Sequence, residues 1–364
     1  LLRTETVWRF RNGDFHEQTP LKWRSVTTST QEILDMKGGK DGDETIKFKI
    51  LSDELKLQIR ENRDHSENMF VFSSRRGLSP TVVCGDCGEI VRCNKCSVPI
   101  VLHGASDDSS KNFFLCHKCG EKRTAEEKCK KCGSWKLTTL GIGIETIEKE
   151  IKKEFPGIKI FKIDYDTVKK HKKAEEIAEE FYSSPGSIVL GTEMALLYLD
   201  KKIENTAVAG MDSMFSVPDF RINEKIMNIL LKIRSLTNKK LLIQTRQPEQ
   251  KVFEYATRGN LIDFYRNEIA EREKFGYPPF CILVKITFQG NKDAVSKEMA
   301  NLKNLLAPYV VQIFPAFIET VNRKFVMHGL IKVPKENWID KNLLEKLSNL
   351  PQYYSIRIDP ENLL

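Results

Sequence analysis

Short apolar runs separated by longer amphipathic stretches dominate the middle of the chain. Asn68–Ser73 (NMFVFS), Leu137–Ile142, Ile158–Ile163, Ser187–Leu190, Thr206–Met211 and Lys240–Thr245 are each continuous enough to predict a buried strand. Between them, Ile144–Phe155, Lys172–Tyr182 and Asn223–Leu236 read as helices, the last with Ile226, Ile229, Leu230 and Ile233 on one face. Strand and helix alternate. That order predicts an α/β fold with a doubly wound parallel sheet, whose ligands bind at the carboxyl ends of the strands. Beyond residue 285 the pattern changes to strand (Cys281–Phe288), helix (Asp293–Leu306), two strands (Val310–Phe314, Phe325–Lys332), helix (Leu343–Leu347) and strand (Tyr354–Ile358), which predicts a small α+β domain.

After the first apolar run the periodicity gives way to cysteines. Eight of the nine form four Cys-x-x-Cys pairs, Cys84/Cys87, Cys93/Cys96, Cys116/Cys119 and Cys129/Cys132, and Cys281 stands apart. Two thiolates separated by two residues on a tight turn span one edge of a metal tetrahedron, so four pairs make two Zn²⁺ sites. Gly85, Gly88, Gly120 and Gly133 supply the backbone freedom such turns need. A disulfide set is the alternative, and nothing in the sequence indicates secretion. Nested pairing puts Cys84, Cys87, Cys129 and Cys132 in one site and Cys93, Cys96, Cys116 and Cys119 in the other; sequential pairing is the other possibility. His103 and His117 are not needed as ligands, because eight thiolates already fill two tetrahedra. Four protein ligands leave no open position for water, so such sites are structural.

Composition narrows the class. The 364 residues are 40% hydrophobic and 30% charged, which excludes disorder, collagen and coiled coil and allows two or three domains. No apolar stretch is long enough to span a membrane, and the N-terminus lacks a signal peptide's apolar centre, so a cytoplasmic protein is expected. The chain begins Leu-Leu, and is expected to be the downstream part of a longer product. Its formal charge of +8 suits a polyanionic partner, although eight zinc-bound thiolates would halve that excess. Basic residues and aromatics are mixed around the cysteines. Arg75, Arg76, Arg92, Lys118, Lys122, Arg123, Lys130 and Trp135 are candidate contacts for single-stranded or forked DNA, by phosphate pairing and base stacking. The competing role is local: lysines offset thiolate charge, and aromatics pack beneath the ribbons.

Ser74-Arg75-Arg76-Gly77-Leu78-Ser79-Pro80, running directly into the first cysteine pair, resembles the N-R-R-G-[YF]-[AS]-P junction of the primosomal protein N′ family, the PriA replication-restart helicases. Further matches follow in order: Gly141–Glu145 (family G-T-G-T-E), Asp164–Thr167 (D-x-D-T), Gly191–Met194 (G-T-Q-M), Pro218–Arg221 with Glu224 (P-D-F-R-x-x-E), Ile243–Thr245 and Phe275–Phe280. Ile356–Pro360 is similar to the family's C-terminal ending. The resemblance implies a motor of two RecA-like lobes that uses ATP and Mg²⁺, with primosome or helicase-loading proteins as partners. On that basis residues 1–50 are expected to be the tail of a first lobe and a linker, 51–258 a second RecA-like lobe, 81–136 its inserted two-zinc module, and 259–364 a C-terminal α+β domain. A monomer is expected.

The same comparison predicts a degenerate motor. Gly38-Gly39-Lys40 is the nearest approach to a phosphate loop, and it lacks both the upstream glycine and the following Ser/Thr. The acidic box is missing as well. Where the family has [IL]-x-K-G-x-[DN]-[FY] after G-T-Q-M, this chain has Ala195–Asp200, without the lysine and glycine. Where the family has Q-x-x-G-R-A-G-R, whose arginines are its arginine fingers, this chain has Lys232–Lys239, with Leu236 and Lys239 at the arginine positions. The alternative reading is the C-terminal part of an active ATP-dependent 3′–5′ DNA helicase.

Overall fold

A computed structural model describes residues 3–11, 25–37, 49–74, 81–84, 89–95, 99–105, 108–116, 121–125, 127–140, 142–165, 167, 171–217, 219–321, 324–361 and 363. In chain order the elements begin with helix α1 (Thr4–Arg11), strand β1 (Thr30–Asp35), α2 (Asp53–Asp64), β2 (Met69–Ser73), β3 (Thr81–Cys84), β4 (Val101–Ala105), β5 (Asp108–Leu115), β6 (Lys122–Thr124) and β7 (Leu137–Leu140). They continue with α3 (Ile144–Glu154), β8 (Ile160–Ile163), α4 (His171–Tyr182), β9 (Ile188–Gly191), β10 (Ile203–Gly210), α5 (Ile222–Leu236), β11 (Thr237–Thr245), α6 (Lys251–Arg258) and α7 (Leu261–Phe275). The last are β12 (Cys281–Gly290), α8 (Lys292–Leu305), β13 (Gln312–Val321), β14 (Lys324–Pro334), α9 (Lys341–Ser348) and β15 (Ser355–Ile358). None of the described helices is long and apolar enough to cross a membrane.

The chain divides into two compact units, one of Leu1–Thr19, Pro218–Arg221 and Tyr265–Leu364, the other of Pro20–Val217 and Ile222–Phe264. The larger unit is built on a six-stranded sheet in the order β1-β11-β10-β2-β9-β8, with every neighbouring pair parallel. All five residues of the inner strand β2 are buried, as a strand covered on both faces requires. Helix α2 starts where the Ser52 side chain accepts the Leu55 N–H, and it turns Leu55, Ile59 and Asn62 inward. Helix α3 buries Ile144, Ile147 and Ile151 against the same core as Met69, Val71 and Leu190. Each such isoleucine contributes about 2 kcal/mol by leaving water.

Two expectations change here. Leu137–Ile142, expected in the parallel sheet, instead supplies β7, which pairs antiparallel with β3 over Thr81–Cys84 in a separate five-stranded sheet ordered β6-β5-β4-β3-β7. An apolar run states burial and not partner. Thr30–Asp35, within the expected tail of a preceding lobe, is the edge strand of the parallel sheet, in register with Lys240–Thr245.

The smaller unit carries a four-stranded antiparallel sheet, β13-β14-β12-β15. One face packs Val284, Ile286, Ile331 and Val333 against Met299, Leu302, Leu343 and Leu347 of α8 and α9. Strand alternation sends Lys285, Thr287 and His328 to the other face, where the Thr287 hydroxyl lies 2.8 Å from His328 Nδ1. Burial, together with the Lys285 charge, pushes the His328 imidazole from 6.5 down to about 4. The unfolded chain therefore binds a proton in that window that the folded form does not. Stability from this group is complete above pH 6.5 and is lost as pH falls toward 4, by roughly 3 kcal/mol. Denaturant titrations across this window should show His328→Asn losing less stability than the parent; equal losses would mean that other groups dominate.

Candidate metal centre and nucleic-acid face

The inserted module leaves the parallel lobe after β2 and returns to it before α3 through the paired strands β3 and β7. Its cysteine turns share one closure: the N–H of Cys84 donates to Glu89 O, that of Cys116 to Glu121 O and that of Cys129 to Ser134 O, each at 2.8 Å. At these three positions a donor and an acceptor five residues apart bring the chain back on itself. The Sγ atoms of Cys84, Cys129 and Cys132 then lie within 4.8 Å of one another, with Cys84 and Cys132 3.5 Å apart. Three soft sulfur donors at tetrahedral-edge spacing fit a metal ion, and a bound ion would cross-link the turns that carry them. These three belong to the outer pairs of the nested scheme, and the fourth, Cys87, lies outside the described residues. Cys93 and Cys116, from the inner pairs, are buried in one cluster with Val82, Ile100 and Phe114. Cys96 and Cys119 lie outside the described residues, as do Arg75, Arg76 and Lys118. The Cys93 thiol donates to Glu121 Oε2 at 2.6 Å, which, with the Lys95 N–H and the nearby Arg123 charge, holds the Glu121 carboxyl below its ordinary range.

The other candidate contacts are engaged inside the protein to different degrees. Arg123 is only 15% exposed; it pairs with Glu121 and Glu127, donates to Arg92 O and lies over the buried Phe114 ring. Lys122 stands 4.0 Å from the Phe113 ring centroid, and Lys130 donates to Asn94 Oδ1. Trp135 is 66% exposed, with the Lys128 ammonium 4.9 Å from its ring centroid. Arg92, Arg123, Lys128 and Lys130 line one cleft of about 290 Å³, together with Cys93 and Cys129.

Arg92 also ties the module to the carboxyl end of β11. Its Nη2 pairs with Glu249 Oε1, and its Nη1 lies 3.4 Å from Gln247 Oε1. Lys37, just past β1, holds the other carboxylate oxygen of Glu249 at 2.9 Å. Burial raises the Glu249 pKa, but Lys37 and Arg92 outweigh it and the net shift is downward. Beneath this sits Asp212, whose carboxyl accepts from Thr245 Oγ1 at 2.5 Å and from the Arg246 N–H at 3.0 Å; burial raises its pKa. Sequence reasoning missed Lys37, Asp212 and Glu249. Only the Ile243–Thr245 match pointed near them.

Comparison with known proteins gives these positions a context. No family model matches the chain. It is 27% identical over 312 residues to the replication restart protein PriA of Borreliella burgdorferi, covering 82% of this chain and 46% of that protein. The PriA of Chlamydia pneumoniae is 30% identical over 256 residues (68% and 34%), and that of Rickettsia felis 26% over 369 residues (98% and 56%). The chain belongs to the PriA family. It spans about half the length, or less, of the curated PriA relatives it matches.

PriA-type motifs can now be followed onto the fold. Gly191 ends β9 where a Cβ would fall 2.3 Å from that of Ala195, so the close turn after the strand requires glycine. The residues that replace the family's lysine and glycine form a short 3₁₀ turn, Ala195–Leu197, with Leu197 71% exposed and the Tyr198 hydroxyl hydrogen-bonded to His171 Nδ1. In the P-D-F-R match, Arg221 and Arg272 share Glu5 at 2.7 and 3.1 Å, and the Phe220 ring stacks on Tyr277. Helix α5 ends at Leu236 and β11 begins at Thr237, so no loop separates them. Leu236 is buried, and Lys239 is paired with Glu67. Arg234 is buried too, donating to Ser25 O at 2.8 Å and to Ser25 Oγ at 2.9 Å. Gly259 permits that arrangement: at φ +61° it carries no Cβ, which would otherwise lie 2.1 Å from Ser25 O.

Proposed function

We propose that this chain is the C-terminal part of a cytoplasmic, monomeric PriA-type protein of replication restart. It binds single-stranded or forked DNA, carries two structural Zn²⁺ in its inserted module, presents that module to primosome or helicase-loading proteins, and has a second RecA-like lobe that no longer supports ATP hydrolysis. The ordered motif matches on both sides of the module support the restart reading. The direct passage of α5 into β11 carries the loss of the motor, since an arginine finger needs a loop that reaches out of the lobe.

Anisotropy with labelled forked DNA tests the binding. Affinity should fall roughly tenfold or more between about 50 and 200 mM salt, as expected when several phosphates are neutralised by lysine and arginine. Affinity at low salt no greater than for a neutral dextran would remove the nucleic-acid reading.

A further inference from the structure

The pairing around Glu249 bears on how the module meets nucleic acid, and its significance rests on the DNA-binding reading just proposed. Strands β1 and β11 run parallel and in register, with Asp35 opposite Thr245. Their carboxyl ends therefore deliver Lys37 and Glu249 side by side, at the edge of the sheet where doubly wound folds take ligands. Arg92 enters from the module. Glu249 gives one oxygen to Arg92 and the other to Lys37. A two-oxygen anion held between guanidinium and ammonium is the geometry of a phosphodiester between the same cations. The side chains of Arg92 and Lys37 are 20% and 23% exposed and Glu249 is 48% exposed, so the carboxylate can swing out without disturbing the core. Buried Gln247 keeps Arg92 aimed at this point.

From Arg92 the basic surface continues along the cleft through Lys130 and Lys128, and Lys128 lies on the exposed Trp135 ring. Cations that line one cleft and reach an accessible aromatic face suit a strand with unpaired bases. An acidic peptide would use the cations and leave the ring without a stacking partner.

We propose that Arg92 and Lys37 form a phosphate site for single-stranded nucleic acid, which Glu249 fills in the free protein as a built-in competitor. A strand lying from Trp135 along the cleft displaces the carboxylate, and Arg92 exchanges an internal anion for an external one. Binding then loosens the link between module and lobe. DNA affinity is held down until a strand is long enough to engage both the ring and the cation pair.

The test compares the whole chain with Glu249→Gln, using anisotropy of labelled oligothymidylate over a salt series. Glu249→Gln should bind roughly tenfold tighter at low salt, and its salt dependence should steepen by up to about 0.7 in log–log slope, as one further phosphate is neutralised without a carboxylate beside it. Glu254→Gln makes the same change in net charge at an exposed position of α6, where Glu254 pairs with Arg258, and should bind like the parent. Adding Arg92→Gln to Glu249→Gln should erase the gain. A parent that binds while Glu249→Gln binds no tighter would overturn the competitor role and leave the DNA-binding reading standing. An equal gain in Glu254→Gln, or a gain that survives loss of Arg92, would overturn the site. Polyglutamate showing the same gain would overturn its assignment to nucleic acid. No binding by parent or variant would overturn both readings together. Unchanged zinc content and far-UV circular dichroism in Glu249→Gln tie any change to the site.

Discussion

Serine in place of Cys129 is expected to remove one Zn²⁺ from the chain and open the base of the inserted module around β3 and β7, while the inner cysteine pairs keep their ion and the parallel sheet stays folded. Cys129 is buried, and its sulfur lies with those of Cys84 and Cys132 where one ion would join the end of β3 to the knuckle before β7. The apolar cluster beside it, built on Val82, Ile100 and Phe114, is small compared with the core around β2 and α3. Metal coordination must then supply much of the module's folding free energy; structural Zn²⁺ sites contribute on the order of 10 kcal/mol or more, and a site that loses a thiolate loses most of it. Elemental analysis should find two zinc ions in the parent and one in Cys129→Ser. Cys281→Ser should keep both, because that thiol instead donates to Gly276 O. A parent with a single metal ion, or a variant that loses its whole far-UV signal, would contradict this account.

The second large effect is an absence of turnover. Joined to a first motor lobe of the PriA type, the protein is expected to show no DNA-stimulated ATPase activity, and Leu236→Arg is not expected to restore it. Leu236 is the last residue of α5 and faces the core, so an arginine placed there would be buried without a partner and would destabilise the lobe by about 3 kcal/mol or more. Arg234 is committed to Ser25. Lys239 is the accessible cation at these positions; it is paired with Glu67, and an ammonium lacks the forked contact that a guanidinium makes with a transferring phosphoryl group. Loss of an arginine finger alone slows such reactions by about 10³- to 10⁵-fold. Turnover that rises with added single-stranded DNA would refute this prediction.

How far these features could be read in advance depended on the range of the interaction. Burial and period are local properties, so the strands that became β2, β8, β9, β10 and β11 were legible from their own residues. The partner of a strand is not local. Leu137–Ile142 is as apolar as a central strand, yet β7 joins β3, and Thr30–Asp35, two-thirds polar in composition, becomes a parallel edge. The knuckle spacing was legible because its chemistry sits within four residues. The role of Arg92 was not: it depends on a carboxylate 157 positions away, and in sequence Arg92 looks like any other basic residue among the cysteines. Arg123 has the same composition signal, and it proved to be held by Glu121 and Glu127 beneath the surface.

The position of the module also orders events during synthesis. Strand β2 pairs with β9 and β10, both of which come after the insertion in the chain, so the inner part of the parallel sheet cannot close until the whole module has left the ribosome. The module needs nothing later than β7 for its own sheet, and its last cysteine precedes that strand. Its pairings are all shorter in sequence than those of β1 and β2 in the parallel sheet, so the module forms before that sheet is complete. A nascent chain starved of metal would then expose a loose, thiol-rich loop beside an unpaired β2, and oxidation or aggregation would compete with folding at that stage.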